Sequence, residues 1–203
     1  SDHTAEVEGI GRAPILESSH ERTTREYNGP VAIHPVAIRG PGREGSAMST
    51  STVIADLKAK LGQEIHCSEW VMVTQSDIDA FASATKDFQW IHTDPARCAR
   101  EAPLRTTIAH GFLVLSLYPA LRGAVDEHRP VFPGVKRVIN YGINKTRFPN
   151  SVKAGARVRA RCTVAAVEEV KGGMQVTETY TLEIEGEAKP ACVGDVVLRY
   201  YFE

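Results

Sequence analysis

The residues most suited to chemistry are Asp87 and His92, which lie five positions apart in the stretch KDFQWIH. This stretch separates two helical patterns, and loops held on a rigid frame often carry functional groups. A carboxylate and an imidazole can together hold one water molecule and move its proton. Gly111 opens an apolar helical pattern farther along the chain, so its backbone N–H can donate to a developing negative charge. These residues predict proton transfer beside an oxyanion site.

The same residues also have plainer interpretations. An aspartate and a histidine at this spacing often occur by chance, and Asp87 can serve simply as a loop cap. His110 can support the entrance of the apolar helix by hydrogen bonding, and Trp90 can be a packing residue. The spacing alone therefore leaves catalysis open.

The composition fits one globular domain. The chain has 203 residues, of which 42% are apolar and 24% are charged. Its formal net charge of -1 gives no basis for binding nucleic acid or an anionic membrane surface. The four cysteines are widely spaced and form no CxxC pair, which argues against a zinc site and fits buried thiols in the cytoplasm. The longest apolar stretch, 108–125, is interrupted by His110, Pro119 and Arg122, so we interpret it as core and not as a membrane span.

Residues 1–47 differ in kind from the rest of the chain. They contain four of the 11 prolines and six of the 16 glycines, and they show no sustained helical or strand period. Such a segment buries too little apolar surface to offset the entropy lost on ordering. We therefore expect an N-terminal arm over 1–47, flexible or derived from an upstream or cloning sequence, and a single domain over 48–203.

The elements that must position the candidate site follow from hydrophobic periodicity. Helical spacing predicts a helix over 53–61, a second over 77–84 with Thr74 as its cap, and a long apolar helix from about His110 to Gly123. The last third of the chain predicts four strands, with a hairpin turn at 171–173 between the second and the third: 135–141, 156–168, 174–185 and 191–201. Helices followed by antiparallel strands indicate an α+β fold, in which one buried helix packs on a curved sheet.

Two separated blocks resemble the MaoC-like dehydratases, which include the (R)-specific enoyl-CoA hydratases of hot-dog fold. The first block runs from Asp87 to Pro95 and the second from Thr106 to Leu117. The stretches QWIH and VINYGINKTRFP are more similar to the NodN-like branch of these proteins. The resemblance covers about residues 53–203 and leaves the expected arm outside.

The resemblance implies a fold, a reaction and a set of residues. The implied fold is a long central helix wrapped by a curved antiparallel sheet, and two such subunits would form a homodimer. Asp87 and His92 would activate the water that adds to a trans-2-enoyl thioester, and the backbone N–H of Gly111 would form the oxyanion hole. The substrate would be an acyl-CoA or acyl-carrier thioester, and no metal or redox cofactor is implied. Residues placed near the substrate are Gln89, Trp90, His110, Ser116, Asn144 and Arg147.

Three residues depart from the usual hydratase pattern Gly-Asp-x-Asn-Pro-x-His, namely Lys86, Gln89 and Trp90. These departures leave the acyl length and the pocket shape open. Two alternatives to a hydratase also stay open: a hot-dog acyl-CoA thioesterase, and a non-catalytic module that binds acyl thioesters. The pairing of Asp87 with His92 favours the hydratase.

Overall fold

The computed structural model describes residues 49–126 and 128–202. The expected arm, 1–47, and its boundary with the domain therefore lie outside the described residues. Short helices fill most of the first half of the described chain, and long strands fill the second half. The helices are α1 Thr50–Lys58, α2 Gln75–Thr85, α3 Trp90–Thr93, α4 Pro95–Glu101, α5 Gly111–Ser116 and α6 Tyr118–Leu121. The strands are β1 Glu64–Cys67, β2 Val71–Met72, β3 Arg137–Arg147, β4 Arg157–Val170, β5 Gly173–Ile184 and β6 Cys192–Tyr201.

The strands form one antiparallel sheet in the order β1-β4-β5-β6-β3, with β2 also pairing with β4. The predicted hairpin turn joins β4 to β5, and Val170 pairs with Gly173 at its end. A Cβ atom on Gly173 would lie 2.0 Å from the carbonyl oxygen of Tyr200, so only glycine lets β5 approach β6 this closely. Strand β3 lies at one end of the strand order, and within residues 49–126 and 128–202 no further strand pairs with its outer edge.

Strand β4 shows why the sheet adopts this register. Its buried residues alternate with arginines on the other face, and the buried set is Val158, Ala160, Cys162 and Val164. A shift of one residue would bury the arginines, so the alternation specifies the pairing strongly. On the charged face Arg159 and Arg161 both reach Glu183, at 2.6 and 3.0 Å. The strand predicted over 156–168 is confirmed as β4, which continues to Val170.

The apolar helix predicted from about His110 to Gly123 is two consecutive helices, α5 and α6. Leu117 lies in a turn between them. Pro119 has no N–H to donate to the carbonyl group of Leu115, so a continuous α-helix would lack this hydrogen bond. Both helices still bury apolar side chains in the main core against the sheet, including Leu113, Val114, Tyr118 and Leu121. No described helix is long and apolar enough to cross a membrane.

One ion pair lies inside this core. Arg122 and Glu178 have only 6% and 0% of their side-chain surface exposed. The Arg122 guanidinium donates through Nε to Oε2 at 2.8 Å and through Nη2 to Oε1 at 3.0 Å, and the Tyr118 hydroxyl donates to Oε2 at 2.7 Å. Burial by itself lowers the pKa of Arg122, but the Glu178 charge and hydrogen bonds raise it above its ordinary value. The pair ties the end of α6 to the middle of β5.

Helices α2 to α4 span the part of the chain that contains the predicted acid, Asp87, and the predicted histidine, His92. Thr74 and Asp77 form the predicted capping box at the start of α2. The helix ends at Thr85, and the left-handed backbone of the next residue, Lys86 (φ 66°), turns the chain towards Asp87. The stretch KDFQWIH, which separates two helical patterns in the sequence, is not a loop throughout, because Trp90–Thr93 forms the helical turn α3. A helix of four residues is too short to show a sequence period and depends on tertiary contacts.

Candidate active site

Asp87, His92 and His110 lie together. One ring nitrogen of each histidine and one carboxylate oxygen of Asp87 are all within 4.8 Å of one another. Both histidines are buried, whereas Asp87 is half-buried. The structure therefore brings the predicted acid and histidine together and adds His110 to them.

The hydrogen bond of His92 determines where its ring proton lies. Its Nδ1 is 2.7 Å from the carbonyl oxygen of Ile108. A carbonyl oxygen only accepts, so Nδ1 carries the proton and Nε2 keeps a free lone pair. Burial lowers the pKa of His92 below its ordinary value of 6.5, although the Ile108 carbonyl and the Asp87 charge oppose this effect. The ring is therefore neutral at neutral pH and can accept a proton at Nε2.

His110 contacts both of the other residues. Its ring stacks on that of His92, with the two centroids 3.8 Å apart and the planes inclined by 28°. Its Nε2 donates to the backbone carbonyl oxygen of Asp87 at 3.0 Å. Its Nδ1 is buried and has no hydrogen-bond partner in the part of the chain that the structure describes. His110 thus fixes the position of the His92 ring and of the Asp87 backbone.

Gly111 follows His110 as the first residue of α5. Its N–H belongs to the first helical turn, where backbone donors have no acceptor within the helix. A Cβ atom at Gly111 would lie 3.1–3.2 Å from the ring of Phe148, so a larger residue would require this ring to shift. Phe148 in turn contacts Phe112 edge to face, with the ring centroids 6.2 Å apart. Two aromatic rings therefore lie beside the predicted oxyanion donor.

An apolar cleft of about 370 Å³ lies between the helices α5 and α6 and strand β3. One wall is the face of α5 and α6 that carries Phe112, Leu115 and Ser116. The other wall is β3 and includes Tyr141 and Ile143. Ser116, one of the residues predicted near the substrate, lines this cleft and donates its hydroxyl hydrogen to the Leu113 carbonyl oxygen at 2.7 Å. Phe112, the residue after Gly111, lines the cleft, so the cleft extends to the first turn of α5.

The other predicted binding residues have more peripheral positions. Gln89 is exposed, and its backbone N–H donates to Asp87 Oδ1 at 3.4 Å. Trp90 is half-buried, with the guanidinium carbon of Arg97 4.2 Å from the centre of its ring. Asn144 and Arg147 lie exposed on β3. Of the predicted site residues, the structure therefore brings Asp87, His92, His110 and Gly111 to one place and leaves Asn144 and Arg147 on the edge strand.

Sequence reasoning missed two residues that contact this site. The side-chain amide of Gln75 donates to the carbonyl oxygen of His92 at 2.7 Å. The hydroxyl of Thr107 donates to Gln75 Oε1. These partners are 17 and 32 positions away from Gln75, so no local spacing points to them.

Asp87, His92 and His110 are also residue types that bind metal ions. Zinc lies about 2 Å from an imidazole nitrogen, in the plane of the ring. The two stacked rings are inclined by only 28°, so their in-plane lone pairs do not converge on one ion. The arrangement suits proton transfer better than metal binding.

Comparison with known proteins identifies the family. The family model for the MaoC like domain matches residues 56–186. The 3-hydroxyacyl-thioester dehydratase Z of Mycobacterium tuberculosis is 47% identical over 154 residues, which cover 75% of this chain and 99% of that protein. Nodulation protein N of Rhizobium leguminosarum bv. viciae is 39% identical over 158 residues, 74% of this chain and 92% of that protein. The structure of an (R)-hydratase from A. caviae involved in PHA biosynthesis is similar, with a TM-score of 0.54 and 28% identity, over 68% of this chain and 94% of that chain. The chain described here belongs to the MaoC-like dehydratase family and has its hot-dog fold.

Proposed function

We propose that the protein is an (R)-specific enoyl-CoA hydratase or 3-hydroxyacyl-thioester dehydratase, which adds water reversibly to a trans-2-enoyl thioester. The observation that carries this proposal is the neutral His92, which keeps a free lone pair on Nε2 and has a ring nitrogen within 4.8 Å of an Asp87 carboxylate oxygen. The names of the relatives support the same reaction, since one is a 3-hydroxyacyl-thioester dehydratase and another an (R)-hydratase. The proposed enzyme is a hydro-lyase.

The geometry gives each residue a part in the reaction. A water molecule held between Asp87 and His92 loses a proton to the acid–base pair, with Nε2 of His92 as the acceptor, while its oxygen bonds to the β-carbon. The π electrons of the double bond move towards the α-carbon and the thioester oxygen, where the Gly111 N–H stabilises the negative charge. The pair then returns a proton to the α-carbon. The thioester bond stays intact, and the reverse sequence releases water.

Addition of water to a double bond transfers no net electrons, so the proposed reaction requires no redox cofactor. We propose that it also uses no metal, because the Asp87–His92 pair supplies the acid–base chemistry. The coenzyme A or carrier-protein portion belongs to the substrate. We propose that Ser116 lies near the acyl group, since it lines the apolar cleft. Asn144 and Arg147 are proposed to contact the carrier end, because an exposed guanidinium group suits phosphate groups.

The first experiment follows the ultraviolet absorbance of crotonyl-CoA and of a longer trans-2-enoyl-CoA in the presence of the protein. A fall in absorbance that yields the (R)-3-hydroxy product supports the hydratase. Release of free thiol without hydration would instead favour the thioesterase, in which water attacks the carbonyl carbon. If both substrates bind and neither reacts, the non-catalytic binding module becomes the better interpretation.

The pH dependence of kcat/KM tests the role of His92 as the base. Only the neutral imidazole can accept a proton, so activity should fall as the pH drops through the pKa of His92. Because burial lowers this pKa, we expect the midpoint of the acidic limb to lie below pH 6.5. A profile in which activity rises as the pH falls from 7 to 6 would contradict this role and would indicate an acid at this position.

We also propose that the protein forms a homodimer through β3. This edge strand exposes three apolar side chains, Ile139, Tyr141 and Ile143, with 40%, 55% and 52% of their surface accessible. An unpaired apolar edge readily pairs with another strand, and a second copy would also cover the open side of the cleft. Ile143→Lys should convert a dimer to a monomer in light scattering, whereas Leu61→Lys, after α1, should remain dimeric. A wild-type protein with the mass of one chain would contradict the proposal.

The cysteines bear on the compartment. Cys67, Cys98, Cys162 and Cys192 are all free, and the last three are buried. Free thiols persist where the surroundings are reducing. We therefore propose that the protein works in the cytoplasm.

A further inference from the structure

We infer that Gln75 and Thr107 are positioning residues that hold His92 in its reactive orientation and tautomer. The inference rests on the proposed function of His92, and it adds two residues that touch neither Asp87 nor the substrate cleft in the contacts described above. Gln75, at the start of α2, donates to His92 directly, and Thr107, in the segment before α5, is linked to His92 through Gln75.

The side-chain amide of Gln75 makes three hydrogen bonds. Its Nε2 donates to the backbone carbonyl oxygen of His92 at 2.7 Å and to Asp79 Oδ1 at 2.8 Å. Its Oε1 accepts from the hydroxyl of Thr107. Because a backbone carbonyl oxygen can only accept, the amide has one orientation that satisfies all three contacts. The side chain is therefore a fixed link between His92 and Thr107.

Thr107 anchors the other end of this link. Only 1% of its surface is exposed, and its backbone carbonyl oxygen accepts from the N–H of Ala154 at 3.0 Å. The carbonyl oxygen of the next residue, Ile108, accepts the hydrogen bond from Nδ1 of His92. The N–H of Ile108 donates to the Ile91 carbonyl oxygen at 3.1 Å. One short segment thus holds the His92 ring directly and the His92 backbone through Gln75.

Helix α3 needs such support, because it has only four residues and no side-chain cap at Gln89. A single helical turn does not hold its own shape in water. A reactive group must stay within about 0.5 Å of its productive position, and its supporting contacts provide that precision. If the link is lost, Ile108 and His92 can move apart, and the His92 proton can move from Nδ1 to Nε2. The second change would remove the lone pair that accepts the proton.

The test compares Thr107→Val, which removes the hydroxyl at nearly constant shape, with Thr107→Ser, which keeps it. We expect Thr107→Val to lower kcat about 10- to 100-fold with KM changed less than about twofold. We expect Thr107→Ser to recover most of kcat. Gln75→Met, on the partly exposed side of the link, should reproduce the Val result and carries the test if Thr107→Val does not fold. Ser76→Ala, at the next and exposed position of α2, is the matched control and should behave as wild type.

A second readout does not depend on substrate. The ¹⁵N NMR shifts of the His92 ring should show a protonated Nδ1 in the wild type and a mixture of tautomers in Thr107→Val. A merely structural role would lower the melting temperature and leave both kcat and these shifts unchanged, which would overturn the inference. Loss of activity in Thr107→Ser as large as in Thr107→Val would overturn it as well. A wild type that hydrates neither substrate would contradict the proposed function alone, since the NMR shifts still test the link.

Discussion

Asp87→Asn should lower kcat for hydration by about 10²–10⁴-fold, the usual loss when a positioned acid–base group is removed. Asparagine has the shape of aspartate and keeps an oxygen that can accept from the Gln89 N–H. The hydrogen bond from His110 goes to the backbone carbonyl oxygen of residue 87, so the substitution leaves it in place. The variant therefore loses the carboxylate and little else, and its melting temperature should stay near that of the wild type.

Asp94→Asn provides a matched control for this experiment. Asp94 lies just beyond α3 and caps α4 by accepting from the N–H of Arg97 at 2.8 Å. Asparagine is an equally good cap, so this substitution should change neither stability nor kcat. Hydration rates of both variants, measured by absorbance under the same conditions, decide the outcome. A rate near wild type for Asp87→Asn, or an equal loss for both variants, would show that Asp87 is not part of the acid–base pair.

Glu178→Gln should lower the free energy of unfolding by about 3–5 kcal/mol. The substitution keeps the size of the side chain but leaves Arg122 buried without an opposite charge. The loss should be large because only 6% of the Arg122 side-chain surface is exposed, so water replaces little of the lost interaction. Urea unfolding at one protein concentration measures the change, and a fixed concentration is needed because subunit association shifts apparent stability.

Two further variants separate the charge effect from packing. The double variant Arg122→Met with Glu178→Leu removes both charges and should recover most of the lost stability, since apolar pairs often replace buried ion pairs without loss. Glu185→Gln breaks the exposed pair with Arg157, which are 44% and 46% exposed, and should change the free energy of unfolding by less than about 1 kcal/mol. A double variant as unstable as Glu178→Gln would attribute the loss to shape and not to the unpaired charge.

The sheet and several helix ends could be predicted because they depend on local patterns. Strand β4 follows the alternation of arginines with small apolar residues, and Lys171 and Gly172 mark its turn into β5. Thr74 caps α2, as the spacing of its partner Asp77 along the chain indicates. Such features involve residues within a few positions of one another, and the sequence therefore contains the evidence for them.

The candidate site was only partly predictable. Asp87 and His92 could be paired because they are near in sequence and match a family pattern. The stacking of His110 on His92 and the link through Gln75 could not be predicted, because these contacts depend on how α2, α3 and the segment before α5 pack together. The break at Leu117 was missed because the apolar period continues through it. The helix is interrupted there because Pro119 lacks the N–H that a continuous helix requires.

Lys86 has a consequence for how the Asp87 loop is held in place. At φ 66°, the lysine adopts a backbone conformation that costs an ordinary residue about 1–2 kcal/mol and that glycine, the usual hydratase residue here, adopts freely. Lys86 holds this bend through its N–H bond to the Ala82 carbonyl oxygen and its Nζ bond to the Ser83 carbonyl oxygen. A glycine would remove the conformational strain but increase the entropy of the unfolded chain. With Lys86 the chain therefore forms the same bend with a smaller loss of conformational entropy on folding than with glycine. The backbone directly before Asp87 is strained as a result.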